Sequence, residues 1–96
     1  MVVHIVMFKF KEENREANIL EAQDRLNSLI EFVPSLDTIE IGIDFDKSQR
    51  AMDLVLTATF KDKNALEDYA IDKSHLEVVE FMKSVTEYSK VVDYQK

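Results

Sequence analysis

The sequence predicts an α+β fold in which helices cover one face of a four-stranded antiparallel sheet. Two observations carry this prediction. Apolar residues alternate in four short segments, as they do in strands, and recur with helical spacing in the segments between them. In addition, 96 residues are enough for one domain and too few for two. We therefore treat residues 1–96 as a single domain.

The first strand is predicted over residues 3 to 10, which are mostly β-branched and aromatic. Both of its faces are apolar: one carries His4, Val6, Phe8 and Phe10, and the other carries Val3, Ile5 and Met7. A helix follows over residues 13 to 32, where apolar side chains recur every three or four positions. It ends at Pro34, because the proline ring clashes with the preceding turn and lacks an N–H group.

The second strand is predicted over residues 37 to 45, where apolar and polar residues alternate, and the third over about 52 to 60. The polar residues 46 to 50 between them predict a hairpin loop. The inward face of the third strand is expected to carry Met52, Leu54, Leu56, Ala58 and Phe60. Its other face is only partly polar, since it includes Val55.

Two helices and a strand complete the chain. Asp62 is expected to be the N-cap of a short helix that reaches Ile71. The segment Ser74 to Glu77 has the form of a capping box, which predicts a new helix from Ser74 to about Val85. A last strand is predicted from Tyr88 to Tyr94. The order β-α-β-β-α-β, with the second helix split in two, is typical of a ferredoxin-like fold.

The composition narrows the classes of function. Twelve Lys and Arg against nineteen Asp and Glu give a net charge of −7. This charge argues against a nucleic-acid partner, whose binding depends on the neutralisation of phosphates. No segment has the ~20 consecutive apolar residues of a membrane span, and the first residues do not resemble a secretory signal. We therefore expect neither a nucleic acid nor a membrane as a partner.

The chain also offers few ligands for metals or cofactors. It has no cysteine, which excludes disulfides and thiolate metal sites and is typical of a cytoplasmic protein. His4 and His75 are its only histidines, so a metal site built from several histidines is not expected. Its single glycine, Gly42, excludes a glycine-rich nucleotide loop. We expect no metal and no cofactor.

The distribution of apolar residues predicts a homodimer. Apolar residues make up 46% of the chain, and a domain of this size buries only about 60–65% of its unfolded surface. Helices on one face of the sheet would leave Val3, Ile5, Met7 and Val55 on a bare face. Soluble monomers rarely expose an apolar patch of this kind. We therefore predict that two copies pack sheet to sheet.

Three polar side chains are expected to converge between the sheet and the helices. His75 is in register with the inward apolar residues of its helix, and Tyr69 with those of the preceding helix. His4 shares its strand face with Phe8. An apolar cavity with a few convergent polar groups is typical of a small-molecule site, so Phe8 and Leu54 are expected to contact the same ligand as His4. Side chains that only fill the core would have the same spacing.

Five segments that together span nearly the whole chain carry a resemblance. They are Val3–Lys11, Ile39–Phe45, Ala51–Leu56, Phe60–Phe81 and Val91–Tyr94. In their order they resemble the stress-responsive α/β-barrel (Dabb) family, which includes olivetolic acid cyclase, an enzyme that closes a linear polyketide by an aldol-type condensation without a cofactor. The resemblance implies a dimeric α+β barrel. For most members of the family no reaction is established.

The resemblance includes the segment that carries the working groups of the cyclase. In the cyclase, the working groups lie in a Tyr-x-x-His-Pro-x-His segment. Residues Tyr69 to His75 here read Tyr-Ala-Ile-Asp-Lys-Ser-His, which keeps the tyrosine and the last histidine and replaces the inner His-Pro. The resemblance implies His75 as a general base and Tyr69 as a donor to the oxygen on which charge develops. His4 matches a histidine of the first strand.

Three classes of function remain open at this point. The first is a cofactor-free enzyme that acts on a small carbonyl compound, the second a binding or stress-protection protein, and the third a structural dimer without a cavity. Monooxygenases of the related barrel fold rank lower, because several of them use tryptophan and this chain has none. Some family structures hold a metal on backbone carbonyls at the turn that corresponds to Ile30–Leu36, which side chains cannot predict.

Overall fold

Four strands and three helices follow one another along the chain in the computed structural model, which describes residues 1–96. The strands are β1 (Val2–Phe10), β2 (Thr38–Ile43), β3 (Leu54–Phe60) and β4 (Thr86–Gln95). The helices are α1 (Arg15–Phe32), α2 (Lys63–Ile71) and α3 (Lys73–Val85). The predicted ferredoxin-like α+β fold is confirmed. None of the helices is long and apolar enough to cross a membrane.

The four strands form one antiparallel sheet in the order β2-β3-β1-β4. In the central pair, Val6 of β1 lies opposite Leu56 of β3 and Val91 of β4. Successive side chains of a strand point to opposite faces, so this register fixes which residues share a face. Val6 and Leu56 face the helices, whereas Ile5 and Val92 lie on the other face, which is named the open face below.

The core lies between the sheet and the three helices. Its largest fully buried side chains come from both layers, and they include Phe10, Leu29, Leu54, Phe60 and Tyr69. Complete burial of a side chain of this size stabilises the fold by about 1.5–3 kcal/mol. One face of each helix is thereby fixed against the sheet, and α2 and α3 are held over β1 and β3.

Several predicted boundaries were wrong: α1 begins at Arg15 rather than residue 13, and larger differences lie in β2, β3 and β4. β2 and β3 are shorter than predicted, since the Asp44 carboxylate accepts the Lys47 N–H at 2.7 Å and Lys47 has a φ of 55°. The Asp53 carboxylate accepts the backbone N–H of Phe10 at 2.7 Å, so Asp53 precedes the strand as a bridge to β1. β4 begins at Thr86 rather than Tyr88, because α3 runs directly into it.

The start of α3 also differs from the prediction. Asp62 caps α2 as predicted and accepts the N–H of Ala65 at 2.9 Å. The cap of α3, however, is Asp72 and not Ser74. The Asp72 carboxylate accepts the N–H groups of Ser74 at 2.8 Å and His75 at 3.4 Å. Asp72 is thus the single residue between α2 and α3, and the helix begins before the predicted capping box.

Candidate functional site

A cavity of about 230 Å³ lies between the sheet and the helices. Its walls come from β1, β3, α1, α2, α3 and the start of β4, and most of them are apolar. Its polar lining residues are His4, Tyr69, His75, Lys83, Thr86 and Ser89. Lys83 and Ser89 are exposed, so they lie on the side of the cavity that meets the solvent.

Tyr69 and His75 pack against each other in the cavity wall. Their ring centroids are 4.0 Å apart, with 36° between the ring planes. Tyr69 is only 2% exposed and also packs against Phe60, with centroids 5.0 Å apart. The ring of His4 packs edge-on against Tyr69, with ring centroids 6.0 Å apart, and completes the cluster. Aromatic contacts of this kind restrict the orientation of all three polar rings.

The break between α2 and α3 positions this pair. Tyr69 lies in the last turn of α2, and its carbonyl accepts the Asp72 N–H at 3.2 Å, which ends that helix. Asp72 then caps α3, which places His75 in the first turn of the new helix. The positive end of the helix dipole therefore lies near His75 and disfavours its protonated form.

The surroundings keep both groups uncharged at neutral pH. Burial lowers the pKa of His75 from its ordinary value of 6.5, and nearby His4 acts in the same direction. The backbone at Ala70 and the Asp72 carboxylate act in the opposite direction and do not cancel the effect of burial. Burial raises the pKa of Tyr69 to about 12. His75 is thus a neutral imidazole beside a tyrosine that retains its proton, as a base and a hydrogen-bond donor require.

One nitrogen of His75 has no partner within the chain. Its Nδ1 atom is buried and makes no hydrogen bond. A buried polar atom in this state costs about 1–3 kcal/mol.

His4 is held by a carboxylate that the sequence did not single out. The Nδ1 atom of His4 is hydrogen-bonded to the carboxylate of Asp93, which lies directly opposite His4 on β4. With the carboxylate as acceptor, Nδ1 carries the proton and Nε2 of a neutral His4 is left as an acceptor. The pairing depends on the β1–β4 register, and no local motif around Asp93 indicates it.

Four of the five predicted site residues line the same cavity. His4, Phe8, Tyr69 and His75 are brought together, as expected. Leu54 is buried but lies outside the lining of this cavity, and Leu56 occupies the corresponding position. Both leucines face the helices. Leu56 lies opposite Val6, which is the inward neighbour of His4 on β1. Leu54 lies opposite Phe8, two positions farther from His4. Lys83, Thr86 and Ser89 were not predicted as lining residues.

The structure contains no cluster of three or more His, Asp or Glu side chains that could hold a metal ion. The side chains that line the cavity offer the imidazoles of His4 and His75, the phenol of Tyr69, the Lys83 ammonium and the hydroxyls of Thr86 and Ser89 within a largely apolar wall. Such a set can accept a proton, donate a hydrogen bond and exclude water.

The fold defines a small α+β protein with a cavity between the sheet and the helices. Residues 2–96 match the stress responsive A/B barrel domain, and the chain belongs to that family. A search of curated proteins finds no match.

Solved structures share the fold over almost the whole chain. A dimeric protein of unknown function from Bacteroides fragilis has a TM-score of 0.89 at 20% identity and covers 99% of this chain and 95% of its own. A dimeric ferredoxin-like protein of unknown function from Jannaschia sp. has a TM-score of 0.82 at 26% identity, with 99% and 98% covered. A hydroxynitrile lyase from Passiflora edulis has a TM-score of 0.85 at 18% identity, with 97% and 90% covered. Solved structures of this fold therefore include proteins of unknown function and one named as a hydroxynitrile lyase.

Proposed function

We propose that this protein binds a small apolar molecule with a carbonyl group in the cavity at His75. The observation that carries the proposal is the convergence of the His4, Tyr69 and His75 rings on one cavity whose remaining lining is mostly apolar. The cavity volume of about 230 Å³ suits a ligand of modest size.

The neutral state of His75 supports a second candidate function, that of a cofactor-free enzyme. A carbonyl oxygen that accepts a hydrogen bond from the Tyr69 hydroxyl would place its neighbouring carbon near the imidazole. His75 would take a proton from that carbon, and the electron pair of the broken C–H bond would form an enolate whose oxygen Tyr69 stabilises. The protonated His75 would then return the proton to the substrate. The step needs no oxidant or cofactor.

Proton exchange tests both functions with one probe. Acetylacetone has an acidic carbon between two carbonyls, so deuterium uptake from heavy water reports on proton removal, and chemical-shift changes report on binding. We expect wild-type protein to accelerate uptake over buffer. His75→Gln, which keeps a polar group but removes the base, should lower that acceleration by about 100-fold, and Tyr69→Phe, which removes the donor, should also lower it by about 100-fold.

The two candidate functions fail in different ways in this experiment. If NMR chemical shifts change only at the cavity residues and deuterium uptake is no faster than in buffer, the proposal of binding stands and that of catalysis is overturned. An absence of shift changes at the cavity residues across a series of small ketones would overturn binding. Circular dichroism of both variants checks that an altered result does not reflect unfolding.

We further propose that the protein works as a homodimer joined through the open face. Exposed apolar side chains on that face support this assembly, with Met7, Tyr88, Val92 and Tyr94 between 38% and 57% exposed. The dimeric state of relatives with this fold gives independent support. The absence of cysteine supports a cytoplasmic location for the dimer.

A further inference from the structure

The cavity has a second polar end that the proposed function leaves unused. Lys83 on α3 and Ser89 on β4 line it on the solvent side, whereas His75 and Tyr69 lie in its inner wall. Lys83 follows His75 by eight positions, so their backbones are about 12 Å apart along the helix. The lining between the two ends is largely apolar and includes Met82.

The charge of Lys83 has no partner within the chain. The four ion pairs of the structure involve other residues. Lys83 lies in the last turn of α3, where a cation can stabilise the free carbonyls of a helix end. Those carbonyls already have donors, however: Met82 accepts from the Thr86 hydroxyl at 2.7 Å, and Ser84 accepts from the Lys11 ammonium at 3.1 Å. Lys83 itself makes no hydrogen bond to these carbonyls.

The donors at this end select the chemistry of a ligand. An ammonium group has three donors and no acceptor, and the Ser89 hydroxyl can donate as well. An acceptor-only carboxylate complements both groups. A single cation on a chain of net charge −7 favours a monoanion over a polyphosphate, which would need several cations.

We propose that the ligand of this cavity is an oxo acid, with its carbonyl group at His75 and Tyr69 and its carboxylate at Lys83. A short apolar chain joins the two groups and lies along the wall that includes Met82. This inference rests on the proposed function and adds the class of molecule that the cavity selects. Lys83 is a specificity-determining residue in this arrangement.

Matched acids and esters test the assignment. The probes are saturated fatty acids of short and medium length with a methyl ketone at the far end, together with their methyl esters, and affinities are measured by calorimetry on the full chain. We expect wild-type protein to bind at least one acid about fivefold more tightly than its ester. Added salt should weaken the acid alone, because it screens the ion pair.

Variants of Lys83 separate its charge from its packing. Lys83→Met should remove the preference by weakening the acid and leaving the ester unchanged, and Lys83→Arg should retain it. Lys61→Met is the matched control, since it removes the same charge from an exposed position outside the cavity. It should leave the preference intact.

Three outcomes would overturn the inference. Equal binding of acid and ester by wild-type protein, or a preference that survives in Lys83→Met, would overturn the oxo-acid assignment and leave the proposed function standing. Binding of neither probe across the series would overturn both. If Lys83 only supports the helix end, Lys83→Met will lower the free energy of unfolding without changing the ratio of acid to ester affinity.

Discussion

At the scale of single residues, His75 gives the cavity a dependence on pH. Its folded-state pKa lies below the ordinary value of 6.5, chiefly because the ring is buried. The folded protein therefore binds a proton at His75 less readily than the unfolded chain does. The free energy of unfolding should be unaffected by His75 above pH 6.5 and should fall as the pH drops from there towards the lowered pKa.

Urea unfolding of wild-type protein and His75→Gln between about pH 7.5 and about pH 5 measures this effect. The loss of stability on acidification should be smaller in the variant, which has no ring to protonate. The difference between the two proteins isolates His75 from His4, whose carboxylate partner Asp93 is present in both. Parallel curves for the two proteins would contradict the lowered pKa.

The sequence predicts a site residue correctly where a single helix or strand determines the face to which its side chain points. Helical spacing placed His75 and Tyr69 inward, and strand alternation placed His4 on the same side. Asp93 and Leu56 were missed because their neighbours are fixed by strand pairing between distant segments. Asp93 and His4 are 89 positions apart in the sequence. Their contact follows from the register of β1 and β4, which the sequence pattern does not specify.

At the scale of elements, the cap of α3 carries both stability and position. The sequence predicted Ser74 as the start of this helix, but Asp72 is the cap, and its carboxylate accepts two backbone N–H groups. The α2–α3 break is then a single residue, which holds Tyr69 and His75 on consecutive helices in contact. A pattern of four residues could not reveal this, since the Ser74–Glu77 spacing fits a capping box equally well.

Substitution of the cap should separate stability from site geometry. Asp72→Ala should lower the free energy of unfolding by about 1 kcal/mol and also weaken ligand binding, because the N–H of His75 loses its acceptor. Asp72→Asn, which can still cap, should retain most of both. Asp62→Ala removes the cap of α2, which lies outside the cavity lining, and is the matched control.

Chemical denaturation measures the stability of the three cap variants, and titration of one cavity ligand measures their affinity. Asp62→Ala and Asp72→Ala should lose similar stability, while only Asp72→Ala loses affinity. Equal affinity losses in both would mean that the cap acts on the cavity through general stability alone.

At the scale of the whole molecule, the sheet has one face covered by helices and one face without a cover. The sequence predicted this division, because the alternation of β1 and β3 left apolar residues on both sides. Of the residues predicted to be bare, however, Val3 is already buried within the single chain, at 3% exposure, and Met7 is exposed. The structure adds β4 to the open face, where Tyr88, Val92 and Tyr94 extend the apolar surface beyond the residues first considered. A second copy packed on this face would bury them and would leave the helix-side cavity accessible.

Val91 and Val92 offer a matched test of the proposed dimer. They are adjacent on β4, both are 57% exposed, and they point to opposite faces of the sheet. Val92→Glu places a charge in the proposed interface without a partner, which should weaken dimerisation by at least about 100-fold. Val91→Glu places the same charge on the helix side and should leave the dimer intact. Sedimentation velocity at micromolar concentration distinguishes the two, and a wild-type monomer, or a Val92→Glu protein that stays dimeric, would contradict assembly through the open face.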